Sequence, residues 1–196
     1  MENLIIYAHP KTKGHNTFTL EKVKKELEIR GRDYEAIDLY AENYEPVLKE
    51  EEHYTSGNRK VSKENKKYQN KIKEASNLIF IYPVWWGSMP AILKGFLDRV
   101  LTHGFAYSFK GDYFLKKLGV PRGLLKKKAV VFMTAGASRW QFLLAGNAPK
   151  SMIKYFTLRF CGIKSKIYQV FNCRELTNKN KSKIMRNVRK GLEWLF

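Results

Sequence analysis

The sequence predicts an α/β domain built on a five-stranded, parallel, doubly wound sheet in strand order 2-1-3-4-5, with helices on both faces. Three observations carry this expectation. Short apolar runs of strand length alternate with longer amphipathic segments five times along the chain. The runs are continuous rather than alternating, as strands buried on both faces require. No linker, internal repeat or low-complexity tract divides the 196 residues, so one domain is expected over 1–196. Right-handed crossovers then reduce the possible topologies to the doubly wound one.

The elements follow in order. LIIYA (4–8) is the first strand, stopped by His9-Pro10. Asn16 to Arg30 is amphipathic, with Phe18, Leu20, Val23 and Leu27 at helical spacing, a cap at Asn16 or Thr17, and Gly31 beyond its end. Tyr34 to Leu39 is the second strand. Residues 41–62 are polar and irregular, a length that points to a functional or mobile excursion. A helix over Ser62 to Ala75 starts on Ser62, and NLIFIY (77–82) is the third strand, ended by Pro83. Pro90 suits the first position of a helix reaching Leu101. A glycine-rich connection, 102–127, leads to the fourth strand, Ala129 to Thr134. Pro149 to Cys161 is a helix closed by Gly162, Ser165 to Phe171 a fifth strand at an edge, and Leu176 to Leu195 a basic terminal helix.

Composition narrows the classes. Apolar residues make up 44%, enough for a core. No apolar run approaches the roughly 20 residues of a membrane span, and Met1 to Pro10 shows no leader pattern, so a cytoplasmic protein is expected. Cys161 and Cys173 fit neither a redox pair nor a zinc site; they read as buried thiols of a reducing compartment, and no metal is expected. The 37 Lys and Arg against 18 Asp and Glu give a net +19. Such a field attracts anions. The basic residues are spread over most helices, without a nucleic-acid motif or basic-aromatic alternation, so no specific nucleic acid is expected. Membrane association is possible but nothing in the sequence calls for it.

In a doubly wound sheet the ligand sits beyond the carboxyl ends of the strands, at the switch in strand order. The loops there are 9–17, 83–90 and 134–148. HPKTKGHNT runs into a helix start, whose free N–H groups seat phosphate, with Gly14 allowing close approach and Lys11 and Lys13 adding charge. It is neither a P-loop nor a GxGxxG turn. PVWWGSMPA places Trp85 and Trp86 at the ligand edge, and neighbours in extended chain point apart, so at least one faces the site. TAGASRWQF offers Ala135, Gly136 and Ala137, small enough for a flat ring to lie against backbone. One phosphate-suited loop and two ring-suited loops point to a ligand like flavin mononucleotide, which would carry the redox chemistry.

YPVWWGSMPAILKGFLDRVLTHGFAY (82–107) strongly resembles the NAD(P)H:quinone oxidoreductase family, the DT-diaphorase-like branch of flavodoxin-like folds. Further matches are AHP (8–10), DLYAENYEPVL (38–48), GLLKKKAVVFMTAGA (123–137) and FCGI (160–163). The resemblance implies that His9, Gly14, His15, Asn16 and Thr17 hold the flavin phosphate and ribityl chain. It implies that Pro83, Val84, Trp85 and Trp86 hold the isoalloxazine ring, together with Thr134, Ala135, Gly136 and Ala137. Phe105, Tyr107 and Phe160 fall where relatives line the acceptor pocket, partly from the second subunit of a homodimer. Relatives from animals carry a Tyr and a His after the flavin loop. Here SRWQFLLAGNAP (138–149) has neither: Asn147 stands at the His position as the catalytic candidate, and Trp140 or Phe142 stands in the Tyr region, Trp140 as a candidate acceptor contact. Arg139 could balance an anionic ring. The implied activity is two-step ping-pong transfer from NAD(P)H through FMN, or FAD, to a quinone or similar flat electrophile. A second implied class is an ancillary subunit of a membrane potassium-efflux system, as some relatives are.

Overall fold

The computed structural model describes residues 1–53, 55, 60–109 and 120–196. The main sheet has five parallel strands in the order β2-β1-β3-β6-β7, the order expected for the five apolar runs. These are β1 (Asn3–Tyr7), β2 (Tyr34–Asp38), β3 (Asn77–Pro83), β6 (Lys128–Thr134) and β7 (Lys164–Val170). Registers Asn3↔Asn77 and Asn77↔Lys128 align the central strands at their starts, and Pro83↔Thr134 brings β3 and β6 to the same carboxyl edge.

Successive strand residues point to opposite faces, so the continuous apolar runs feed two cores. Leu4, Ile6, Leu78, Phe80, Tyr82, Ala129, Val131 and Met133 face one side, packed under α2 (Lys63–Glu74) and α3 (Ala91–Val100). Ile5, Tyr7, Ile79, Ile81, Val130 and Phe132 face the other, under α1 (His15–Ile29) and α6 (Asn178–Leu195), which also pack on each other. Each fully buried aromatic such as Phe80 or Phe96 contributes about 2–3 kcal/mol relative to exposure.

Several elements differ from the sequence expectation. Helix α1 begins at His15 with Gly14 as its N-cap, and Asn16 lies inside the first turn instead of capping it. Pro90 is the N-cap of α3 and not its first residue. The helix expected over Pro149 to Cys161 is a turn of α-helix, α5 (Ala148–Ser151), continued in π geometry over Met152–Arg159. The long connection contains an antiparallel pair, β4 (Tyr107–Ser108) with β5 (Arg122–Gly123); its residues 110–119 lie outside the described residues. A short helix, α4 (Arg139–Leu144), occupies what reads as a loop.

The polar excursion after β2 is pinned where it is described; residues 54 and 56–59 lie outside. Tyr44, Tyr68 and Phe96 meet edge to face with centroids 5.3–5.5 Å apart. Arg99 of α3 donates from Nε to Glu52 Oε2 (2.7 Å) and from Nη2 to Glu52 Oε1 (2.9 Å), both side chains being almost fully buried. Arg99 also donates to the Glu45 carbonyl, and Asn65 to Glu52 Oε1. Burial raises the Glu52 carboxyl pKa, but the Arg99 hydrogen bond and its other donors outweigh this and hold it below the usual range.

Candidate functional site

The three central strands end at one edge, and what leaves them is held by the sheet's own bonding. Val84 N–H donates to the Thr134 carbonyl (2.7 Å), Ala8 N–H to Ile81 (3.1 Å), and Ala135 N–H to Val170 (2.8 Å). Between these exits lies a cleft of about 600 Å³ lined by residues from all three predicted loops: His9, Gly14, His15, Asn16, Pro83, Val84, Trp85, Trp86, Thr134, Gly136 and Ala137. Lys11 and Lys13 join the first group, and Cys173 and Arg174 come from the turn after β7. These last two carry no signal in the sequence, because the strand-order switch points only to the loops after the three central strands. The lining holds three cationic side chains and no carboxylate.

The first loop presents a helix start without a side-chain cap beside Lys11 and Lys13. Gly14 has φ 134°, a value L side chains rarely adopt, and it caps α1 without any side-chain bond. The first intrahelical acceptor is the Gly14 carbonyl, used by Phe18 N–H (2.9 Å), so the opening amides of α1 face the cleft unclaimed by the helix. Asn16 does not cap either. Its amide and the Thr134 hydroxyl form a buried pair (3.0 and 3.2 Å) that ties the helix start to the end of β6. Thr17 lies outside the lining; its hydroxyl bonds the Lys11 carbonyl and meets Tyr7 Oη, both at 3.2 Å, which fixes the loop's shape. His9 Nδ1 sits 3.2 Å from both Lys11 N and Lys11 O.

His15 is buried behind the first turn. Asn180 Nδ2 lies 3.1 Å from its Nε2, and an amide NH₂ only donates, so Nε2 accepts as a neutral imidazole. Burial lowers the His15 pKa, partly offset by a backbone hydrogen bond with Glu175.

The second loop is a two-residue hairpin turn. Trp85 and Ser88 exchange both backbone bonds at 2.9 Å, with Trp86 and Gly87 at φ 49° and 72°. Positive φ at both central positions is the I′ turn. It holds Trp86 wholly exposed and Trp85 at 40% exposure, with the Trp85 ring 6.3 Å from His9. Neither indole enters the core.

In the third loop a Cβ added at Gly136 would meet nothing within 4 Å. Ala135 is buried just behind the surface, its carbonyl taken by Cys173 N–H. Burial pushes the Cys173 thiol up to about 11, with Ala135 acting against it, so the thiol stays protonated near neutrality.

The remaining candidates lie apart from the cleft lining. Asn147, in left-handed conformation, pairs its amide reciprocally with Gln169 of β7 (2.9 and 3.0 Å). Trp140 stands 75% exposed on α4. Tyr107 and Phe160 meet at 4.9 Å and line a separate hollow of about 260 Å³, and Phe105 packs on the first core. The described residues hold no cluster able to bind a metal, and among them no helix is long and apolar enough to cross a membrane.

A family model described as flavodoxin-like fold matches residues 1–192. A human protein named ribosyldihydronicotinamide dehydrogenase [quinone] is 31% identical over 205 residues, covering 93% of this chain and 86% of the relative. The chain belongs to the NAD(P)H:quinone oxidoreductase family of flavodoxin-like fold. A Haemophilus influenzae member, an uncharacterised NAD(P)H oxidoreductase, is 30% identical over 175 residues, covering 87% of this chain and 83% of its own. A solved NAD(P)H:quinone oxidoreductase from Methanothermobacter marburgensis superposes with TM-score 0.82 at 28% identity, over 99% of this chain and 96% of its own. These names give no support to the potassium-efflux reading.

Proposed function

We propose that the protein is a flavin-dependent NAD(P)H oxidoreductase that reduces quinones or similar flat electrophiles in two separate half-reactions. The observation that carries this is the single cleft shared by an uncapped helix start, a tryptophan turn and the open backbone at Gly136. The residues fit a flavin. Gly14, the opening amides of α1, Lys11 and Lys13 would hold its phosphate. Trp85, Trp86, Pro83 and Val84 would flank the ring, with Gly136 and Ala137 beneath it. We favour FMN over FAD because the phosphate seat and the ring walls together account for the cleft. When bound, the flavin supplies two-electron exchange between NAD(P)H and the acceptor.

The chain's own part is binding, orientation and electrostatics. Asn16 and Thr134 fix the helix start against β6, so phosphate seat and ring wall keep a constant separation. The three cations favour an electron-rich ligand and attract the nicotinamide nucleotide's phosphates. Cys173 stays a thiol and presents no competing nucleophile. Asn147 is our candidate for the position held by a His in animal relatives, acting as a neutral amide. Its pairing with Gln169 would have to open, or be relayed, for that role.

The reading includes a cytoplasmic homodimer. Its support is that Phe105, Tyr107 and Phe160 lie outside the cleft within one chain, so acceptor contacts from them call for a second subunit. The two free thiols suit a reducing compartment.

The test is direct. The purified protein should be yellow with flavin absorbance, release a cofactor whose mass identifies it, and oxidise NADPH or NADH when menadione is added. A protein that is colourless, takes up no added flavin and leaves the nicotinamide unoxidised would end the proposal.

A further inference from the structure

Arg174 reaches the cleft from the turn after β7, and that turn is pinned from two sides. On one side its amides bond the ring wall: Asn172 N–H donates to the Ala137 carbonyl (3.1 Å) and Cys173 N–H to the Ala135 carbonyl (2.9 Å). On the other stands Asn180, in the first turn of α6 and 9% exposed. Its amide Nδ2 lies 3.3 Å from the carbonyls of Asn172 and Glu175, which flank Arg174 in the turn, and 3.1 Å from His15 Nε2.

An amide NH₂ only donates, so three acceptors around one nitrogen fix its orientation. That nitrogen ties the turn carrying Arg174 to the residue that follows Gly14 in the first turn of α1. The Arg174 backbone is thereby held between the phosphate seat and the ring wall. Thr177 Oγ1 accepts from Asn180 N–H (3.2 Å), so the start of the terminal helix anchors the amide in turn. No ion pair among the described residues involves Arg174, and the cleft lining holds no carboxylate. The guanidinium is left to an anion from outside the chain, and its planar fork of donors matches two oxygens of a phosphate.

We infer that Arg174 closes the phosphate seat over the terminal phosphate of the flavin, and that Asn180 is the positioning residue that holds it there. The opening amides of α1 meet the phosphate from one side, and Arg174 supplies charge and a paired hydrogen bond from the other. This rests on the proposed function and deepens it, because it makes the phosphate itself a determinant of which flavin is held. A phosphate monoester carries about −1.5 to −2 charge at pH 7, and a flavin without it offers Arg174 nothing to bind. The nicotinamide nucleotide brings phosphates of the same chemistry. The flavin phosphate is the assigned partner because the tie through Asn180 runs to the first turn of α1. Asn180 touches no ligand in this scheme. It acts through Arg174, so the two residues behave as one unit, and removing both costs no more than removing Arg174.

The flavin-free full chain is titrated with FMN and with riboflavin, which lacks the phosphate, and the quenching of flavin fluorescence gives each affinity. Arg174→Met, a change at an exposed residue, should weaken FMN about tenfold or more and leave riboflavin unchanged. Asn180→Ala should do the same, and the double variant should bind FMN no worse than Arg174→Met alone. If Asn180→Ala does not fold, Asn180→Ser takes its place in the cycle. Wild-type FMN affinity in Arg174→Met overturns the inference; a raised KM for NADPH in that same variant would assign the guanidinium to the nicotinamide nucleotide instead. Equal losses for FMN and riboflavin in the Asn180 variant also overturn it, since a merely structural residue acts that way. So do additive losses in the double variant. A wild-type protein that takes up neither flavin ends the proposed function and this inference together; one that binds FMN while the variants keep its affinity ends this inference alone.

Discussion

Gly136→Ala separates the requirements of the fold from those of the ligand. The added Cβ would have no protein atom within 4 Å, and Gly136 is not among the residues at positive φ. The protein without flavin should therefore lose nothing, and reduced freedom of the unfolded chain should raise its stability by about 0.4–1 kcal/mol. A flat ring laid on that backbone would meet the methyl group. Overpacking a formed contact costs about 1–3 kcal/mol, which is about 5- to 150-fold in affinity. Thermal unfolding of the flavin-free protein gives the first quantity, and titration of the quenched flavin fluorescence gives the second. Unchanged flavin affinity in a stably folded Gly136→Ala protein would refute the placement of the ring against this loop.

Three further outcomes are expected. Arg99→Met strands the Glu52 carboxylate among buried groups with only its weaker donors, and urea unfolding should show a loss of about 3 kcal/mol; a loss below half of that would mean solvent reaches the pair. Tyr82 Oη is buried without a hydrogen-bond partner among the described residues, so Tyr82→Phe should be neutral or gain about 1 kcal/mol, read as a rise of about 2–4 °C in melting temperature. His15 resists protonation when folded, whereas the unfolded chain takes up a proton below about pH 6.5. Its contribution is thus complete above that pH and is lost on acidification until the folded pKa is passed; His15→Gln should flatten the fall in urea midpoint between about pH 7.5 and 5.

The strands and their order were legible because one physical signal, continuous burial on both faces, writes itself into consecutive residues. The loops at the carboxyl edge followed from topology, and most of their candidate residues do line one cleft. What stayed hidden depends on partners distant in sequence. Asn16 reads as a cap, yet it is claimed by Thr134 from across the sheet, which leaves Gly14 as the cap. The Glu52–Arg99 pair turns an excursion that reads as loose into an anchored one. Two-residue strands such as β4 and β5 are too short for any periodicity, and the wider turn of Met152–Arg159 leaves no compositional mark. One miss was readable: Ser138-Arg139-Trp140-Gln141 is the capping pattern of α4. Arg174 reaches the cleft from the exit of the fifth strand, which lies outside the switch in strand order.

The two-sided burial of the central sheet means that adjacency along the chain is a poor guide to which substitutions influence one another. Val131→Ala and Phe132→Leu are neighbours, but they trim different cores, and their effects should sum. Gly191→Ala is remote from both in sequence, yet its Cβ would come within 2.7 Å of Phe132 Cζ. The smaller leucine takes that atom away, so the two changes that each harm the protein singly should partly heal each other when combined.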